Sequence, residues 1–162
     1  MLAALASPWP AALEGLAAAL ALRAAGRPAL PAAVAVPSTI LVGRAIKKLV
    51  HRPRPGLARF SRNGRQSFPS THVAGPVALL ACLWPLSPRT GGWRAALAIG
   101  GVLALLVARE RVCAGKHWAT DVAAGAVFGA AIGTALGRIA LARSASATLS
   151  RATDGPLQEA AP

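Results

Sequence analysis

Five stretches of this chain are apolar and nearly free of charge: 10–22, 29–46, 73–86, 93–108 and 122–142. Only Glu14, Arg44, Arg94 and Arg138 interrupt them, and the rest of the charge is pushed into the gaps between. A soluble five-helix bundle would need a polar face on each helix, and the third, fourth and fifth stretches have none. The chain is 54% hydrophobic and 14% charged, whereas a soluble domain carries about 25% charge. A disordered chain is excluded by the same apolar content. The expected fold is therefore all-α: an integral membrane bundle of about five transmembrane helices. Several runs fall short of the roughly 20 residues a straight span needs. Flanking Trp and Arg side chains extend such runs by sitting at the interface, and Trp9, Trp84, Trp93 and Trp118 lie at or near run ends.

The expected domain layout is a membrane-embedded unit over 1–143 and a polar, disordered tail over 144–162. No basic region follows Met1, and Arg23 is the first cation, so no cleavable signal peptide is expected. Cys82 and Cys113 have no metal-type spacing. In the fifth run Gly125, Gly129, Gly133 and Gly137 recur every four residues, a spacing that lets helix backbones approach closely in lipid. Stepping back by the same interval gives Asp121 and His117, which should then face the protein rather than the bilayer.

The net charge of +13 admits anionic partners: nucleic acid, anionic lipid or a phosphorylated substrate. The apolar runs favour lipid. If the runs alternate across the membrane, the connections 47–72 and 109–121 emerge on the same side. They carry Lys47, Lys48, Arg52, Arg54, Arg109, Arg111, Lys116, His72, His117 and Asp121. Clustered cations suit a phosphate dianion and the charge on its oxygens in the transition state. One imidazole can attack phosphorus while the other protonates the leaving oxygen. The residues alone do not say which histidine attacks, although Asp121, four residues after His117, favours that one. No set of acidic residues is available to hold Mg²⁺, so a metal-independent route is expected.

Three blocks, Lys47-x6-Arg54-Pro55, Pro69-Ser70-Thr71-His72 and Arg111-x5-His117-x3-Asp121, resemble the type 2 phosphatidic acid phosphatase superfamily in order, spacing and placement. The resemblance covers roughly residues 40 to 137. It implies phosphate binding by Lys47, Arg54, Ser70, the Thr71 amide and Arg111. It also implies His117 as nucleophile, Asp121 as its orienting carboxylate, and His72 as the acid and then the base. No cofactor or metal is implied. The partners are a phosphorylated lipid and the membrane, with no nucleic acid, and the oligomeric state is left open. Substrates in the family include phosphatidic acid, phosphatidylglycerol phosphate, undecaprenyl pyrophosphate and decaprenylphosphoryl-phosphoribose, and the short chain leans towards a polyprenyl-linked one. A catalytically silent relative that binds anionic lipid is the alternative.

Two positions depart from the family pattern. Thr71 replaces Gly, which strains the backbone if φ is positive there. Glu110 replaces Ser, and is expected to pair with Arg109 or Arg111 or to oppose an anionic substrate. Arg59, Arg62 and Arg65 read as a basic run facing anionic headgroups. The expected location is a bacterial plasma membrane. The positive-inside rule does not fix the orientation once the cations assigned to substrate are set aside; an outward-facing site is the expectation.

Overall fold

A computed structural model describes residues 8–56 and 66–154. Among these residues there are five helices: α1 Pro8–Ala24, α2 Leu30–Val50, α3 Thr71–Leu86, α4 Gly91–Cys113 and α5 Ala119–Asp154. Each apolar run forms the body of a helix. The connection after α1 turns at Gly26, whose φ of +66° suits glycine. Pro31 lies in the first turn of α2, where its missing N–H leaves no gap. The Arg59, Arg62 and Arg65 run lies outside the described residues.

α3 is the hub. It packs most extensively on α5 and also contacts α2, α4 and α1. The closeness of α3 and α5 comes from the glycine stripe. A Cβ at Gly125, Gly129, Gly133 or Gly137 would run into the backbone carbonyl of Ser70, Ala74, Ala78 or Cys82 respectively. The four-residue step is the same on both helices, so the two backbones stay in register for over three turns. His117, Asp121 and the four glycines are all buried.

The bundle is small-residue inside and large-residue outside. Ala32, Ala35, Ala74, Ala78 and Cys82 are fully buried, whereas Leu49, Trp84, Leu30, Leu41 and Val127 are more than 70% exposed. Lipid is as apolar as leucine, so a membrane bundle gains nothing by hiding its large side chains and gains by close backbone packing. α4 and α5 are each long and apolar enough to cross a bilayer. The fold is an all-α membrane bundle.

The polar tail expected from Ser144 is a correction: the helix continues to Asp154. The hydroxyls there bond to their own helix, with Ser144 Oγ donating to Ala140 O at 3.0 Å, Ser146 Oγ to Ala142 O at 3.1 Å and Thr148 Oγ1 to Ser144 O at 3.0 Å. Interleaved alanines, the best helix formers, supply the propensity. Residues 155–162 lie outside the described residues.

Candidate active site

The C-terminal ends of α2 and α4 meet the N-terminal ends of α3 and α5 at one end of the bundle, which brings the three sequence blocks together. Lys47 lies in the last turn of α2 and reaches across the connection. Its Nζ donates to Ser67 O at 3.1 Å and Pro69 O at 2.6 Å. The backbone leading into α3 is thereby tied to α2. Ser70 follows, its N–H donating to Asp121 O at 3.0 Å, which ties the start of α3 to the start of α5. The Ser70 hydroxyl is fully buried and has no hydrogen-bond partner among the described residues. A buried hydroxyl left unpaired needs an explanation, and a ligand oxygen at the helix start would supply one.

Thr71 is the first residue of α3 and does not have a positive φ; among the described non-glycine residues only His51 does. The strain considered for a β-branched side chain at this position is absent. Its methyl group rests where Gly43 of α2 carries no side chain: a Cβ at Gly43 would come within 2.6 Å of Thr71 Cγ2. His72, one residue on, faces His117 with ring centroids 6.4 Å apart and planes inclined by 58°.

α4 ends at Cys113, and the chain folds back beneath its own last turn. Gly115, with φ of +60°, makes the reversal possible. The N–H groups of Lys116 and His117 then both donate to Arg111 O, at 3.1 and 3.2 Å. This turn, rather than an early start to α5, buries His117. Its Nε2 lies 3.5 Å from Arg54 Nη1, and its Nδ1 lies 3.6 Å from Asp121 Oδ2. The latter separation is just beyond hydrogen-bond length, so Nδ1 is a buried nitrogen without a hydrogen-bond partner among the described residues. Burial is the main cause that pushes the His117 pKa below the ordinary imidazole range; Arg54 and Lys47 add to this and Asp121 opposes it. Burial, then the nearby Arg111 charge, also lowers the Arg54 pKa.

Asp121 has no exposed side-chain surface. Its Oδ2 accepts from Trp118 N–H at 2.9 Å, the backward half of a capping box at the start of α5. Its Oδ1 accepts from Arg52 Nη1 at 3.0 Å. One carboxylate thus caps α5 and lies beside His117 Nδ1.

In the sequence Arg52 reads as one of the clustered cations and Trp118 as a run-end aromatic, and neither is assigned a place in the site. Arg52 also donates to Thr120 Oγ1 at 2.7 Å and lies over the Trp118 ring, 5.5 Å from its centroid. The Trp118 indole donates to Pro53 O at 3.0 Å. Trp118 is therefore a strut between the two loops as well as an interfacial aromatic. A signal for Arg52 was present: residues before proline are held extended, and in an extended chain positions 52 and 54 share a face. His51 is exposed and caps α2.

Arg111 is buried, and its Nε and Nη2 donate to Glu110 Oε2 and Oε1 at 2.6 and 3.0 Å. Of the expected partners for Glu110, the structure selects Arg111. Along the bundle, an apolar cavity of about 410 Å³ opens between α1, α3 and α4, lined on α4 from Ala96 to Val107. The lining residues nearest the site in sequence are Pro76, one turn beyond His72, and Val107, one turn before Arg111, and α1 contributes Glu14.

The solved structure of a transmembrane PAP2-type phosphatidylglycerolphosphate phosphatase from Bacillus subtilis shares this fold. Its TM-score is 0.64 at 23% identity, with 90% of this chain and 74% of that chain covered. No curated protein sequence matches the chain. The family profile of the PAP2 superfamily matches residues 28–144, well over half of the 162 residues, and the chain belongs to the PAP2 superfamily.

Proposed function

We propose that this protein is a metal-independent lipid phosphatase that hydrolyses a lipid phosphate monoester or pyrophosphate, taking its terminal phosphoryl group through a phosphohistidine on His117. The observation that carries this reading is the arrangement around that imidazole. One nitrogen faces a buried carboxylate, the other faces Arg54 at the cation cluster, and His72 stands across a 6.4 Å gap between ring centroids. Lys47, Arg54, Arg111, the Ser70 hydroxyl and the Thr71 amide hold the phosphoryl oxygens. Asp121 keeps the proton on Nδ1, so the lone pair is on Nε2. Nε2 attacks phosphorus, forming the N–P bond as the bond to the lipid oxygen breaks, and His72 gives that oxygen its proton. Water then attacks phosphorus, His72 takes the water's proton, and the N–P bond breaks to release phosphate. The site carboxylates are already engaged, Asp121 by Arg52 and Trp118 and Glu110 by Arg111, which favours a route without metal.

The apolar cavity, whose lining begins one turn from His72 and Arg111, supports a substrate with a hydrocarbon chain that enters from the bilayer. A polyprenyl-linked phosphate such as decaprenylphosphoryl-phosphoribose is our preferred substrate, in a bacterial plasma membrane with the site facing outward. The test is phosphate release by purified protein in detergent with EDTA. Phosphatidic acid, phosphatidylglycerol phosphate, undecaprenyl pyrophosphate and a decaprenylphosphoryl-phosphoribose substrate are compared. Release that persists in EDTA is expected, fastest with a polyprenyl substrate. Release only on adding Mg²⁺ would overturn the metal-free route, and no release from any of the four would favour a silent lipid-binding relative.

The reading requires a neutral His117. Its lowered pKa means that it takes up a proton only below the ordinary value of about 6.5. In ¹⁵N-histidine spectra of the substrate-free protein, His117 is expected to stay neutral as pH falls through that value. Asp121→Asn removes the one influence that raises the pKa, so its protonation midpoint should fall further. A midpoint that rises in Asp121→Asn would contradict this electrostatic picture.

A further inference from the structure

We propose that Glu110 acts as a built-in competitor for phosphate, occupying the Arg111 fork until a substrate phosphoryl group displaces it. The inference rests on the phosphatase reading above and concerns how tightly the same site holds free phosphate. A guanidinium meets two oxygens of a phosphate or carboxylate either side-on, through Nε and one Nη, or end-on, through both Nη groups. In Arg111 the side-on edge is taken by both oxygens of Glu110. Lys47 donates to the neutral carbonyls of Ser67 and Pro69, and one Arg54 N–H to the carbonyl of Lys116. Glu110 therefore sets a full negative charge directly against a cradle cation.

The pair is also asymmetric in freedom. The Arg111 side chain is 7% exposed and the Glu110 side chain 35% exposed. Arg111 is fixed and Glu110 can swing outward. Glu110 lies in the last turn of α4, where the helix dipole disfavours a carboxylate, so Arg111 is what holds it there. An incoming phosphoryl group replaces one anion on that edge with another. A lipid substrate gains apolar burial that offsets the exchange; inorganic phosphate has no such gain and is held weakly. The device promotes product release and limits inhibition by free phosphate.

The experiment titrates inorganic phosphate into the purified full chain in detergent and measures its Kd for the natural protein, Glu110→Gln and Glu110→Asp. Glu110→Gln is expected to bind phosphate about tenfold more tightly, because a charge-assisted pair no longer has to be broken. Glu110→Asp, which keeps the charge, should remain near the natural value. A merely structural Glu110 predicts the opposite sign, since a damaged cradle binds less. Unchanged or weaker binding in Glu110→Gln overturns the inference and leaves the phosphatase reading intact. Phosphate binding absent from all three proteins removes the cradle itself, and the inference with it.

Discussion

His117→Ala is expected to abolish phosphate release, by on the order of 10⁴-fold or more, and to remove any acid-labile phosphoenzyme. The expected loss is large because nothing beside His117 can take over. Among the described residues, His72 faces the gap from the other side, Asp121 is buried against Arg52 and Trp118, Glu110 is paired with Arg111, and the Ser70 hydroxyl has no hydrogen-bonded base to activate it. Water would have to attack phosphorus without the preceding covalent step. His72→Ala removes a proton transfer, and such steps contribute about 10²–10⁴-fold. It should spare phosphoenzyme formation from an aryl phosphate, whose leaving group needs no proton. The contrast separates nucleophile from acid. Rapid-quench trapping of radiolabelled phosphate on each variant is the measurement, with inorganic phosphate binding as the check that the site remains folded. Retained turnover in His117→Ala, or a phosphoenzyme lost equally in both variants, would refute the assignment.

Much of this arrangement was legible in the sequence because membrane spans and phosphate sites use strong local signals. Apolar runs bounded by charge mark helices, and the glycine step marks the face of α5 that meets α3. The residues at 47, 54, 70, 72, 111, 117 and 121 carry chemistry that matches a known pattern. What the sequence hid was the division of labour among like residues. Arg52 and Arg54 are chemically identical and two positions apart, yet one bonds to Asp121 and the other reaches His117. Only the packing of the 51–56 connection on the start of α5 decides between them. Trp118 was hidden for the same reason, since its indole bonds to a carbonyl 65 positions earlier. Thr71 looked like a liability because its φ could not be read from the sequence; φ is not positive there, and Gly43 on another helix leaves room for its methyl group. The tail from Ser144 was misread because its serines and threonines look polar in a list but bond back to their own helix.

The second large effect is expected far from any reactive atom. Gly133 lies on α5 where a Cβ would run into the Ala78 carbonyl of α3. The obstacle is backbone, so no rotamer change relieves it, and the two helices must part. Overpacking of this kind costs about 1–3 kcal/mol, and here it acts along the most extensive helix contact of the bundle. Separation would also reach the chemistry, because α3 carries His72 while α5 carries Asp121. A misplacement near 1 Å can cost about 10²-fold in rate. Gly133→Ala is therefore expected to lower the thermal midpoint and to cut turnover by about 10²-fold, and Gly133→Leu to prevent folding. The control is Gly101→Ala on α4, where nothing lies within 4 Å of the added methyl. There the same substitution only replaces glycine by a better helix former, worth up to about 1 kcal/mol of stabilisation. One methyl group thus has opposite expected effects at two helical glycines, and thermal unfolding in detergent measures both. If Gly133→Ala behaved like Gly101→Ala, the α3–α5 backbone contact would not be what holds the two halves of the site at their working distance.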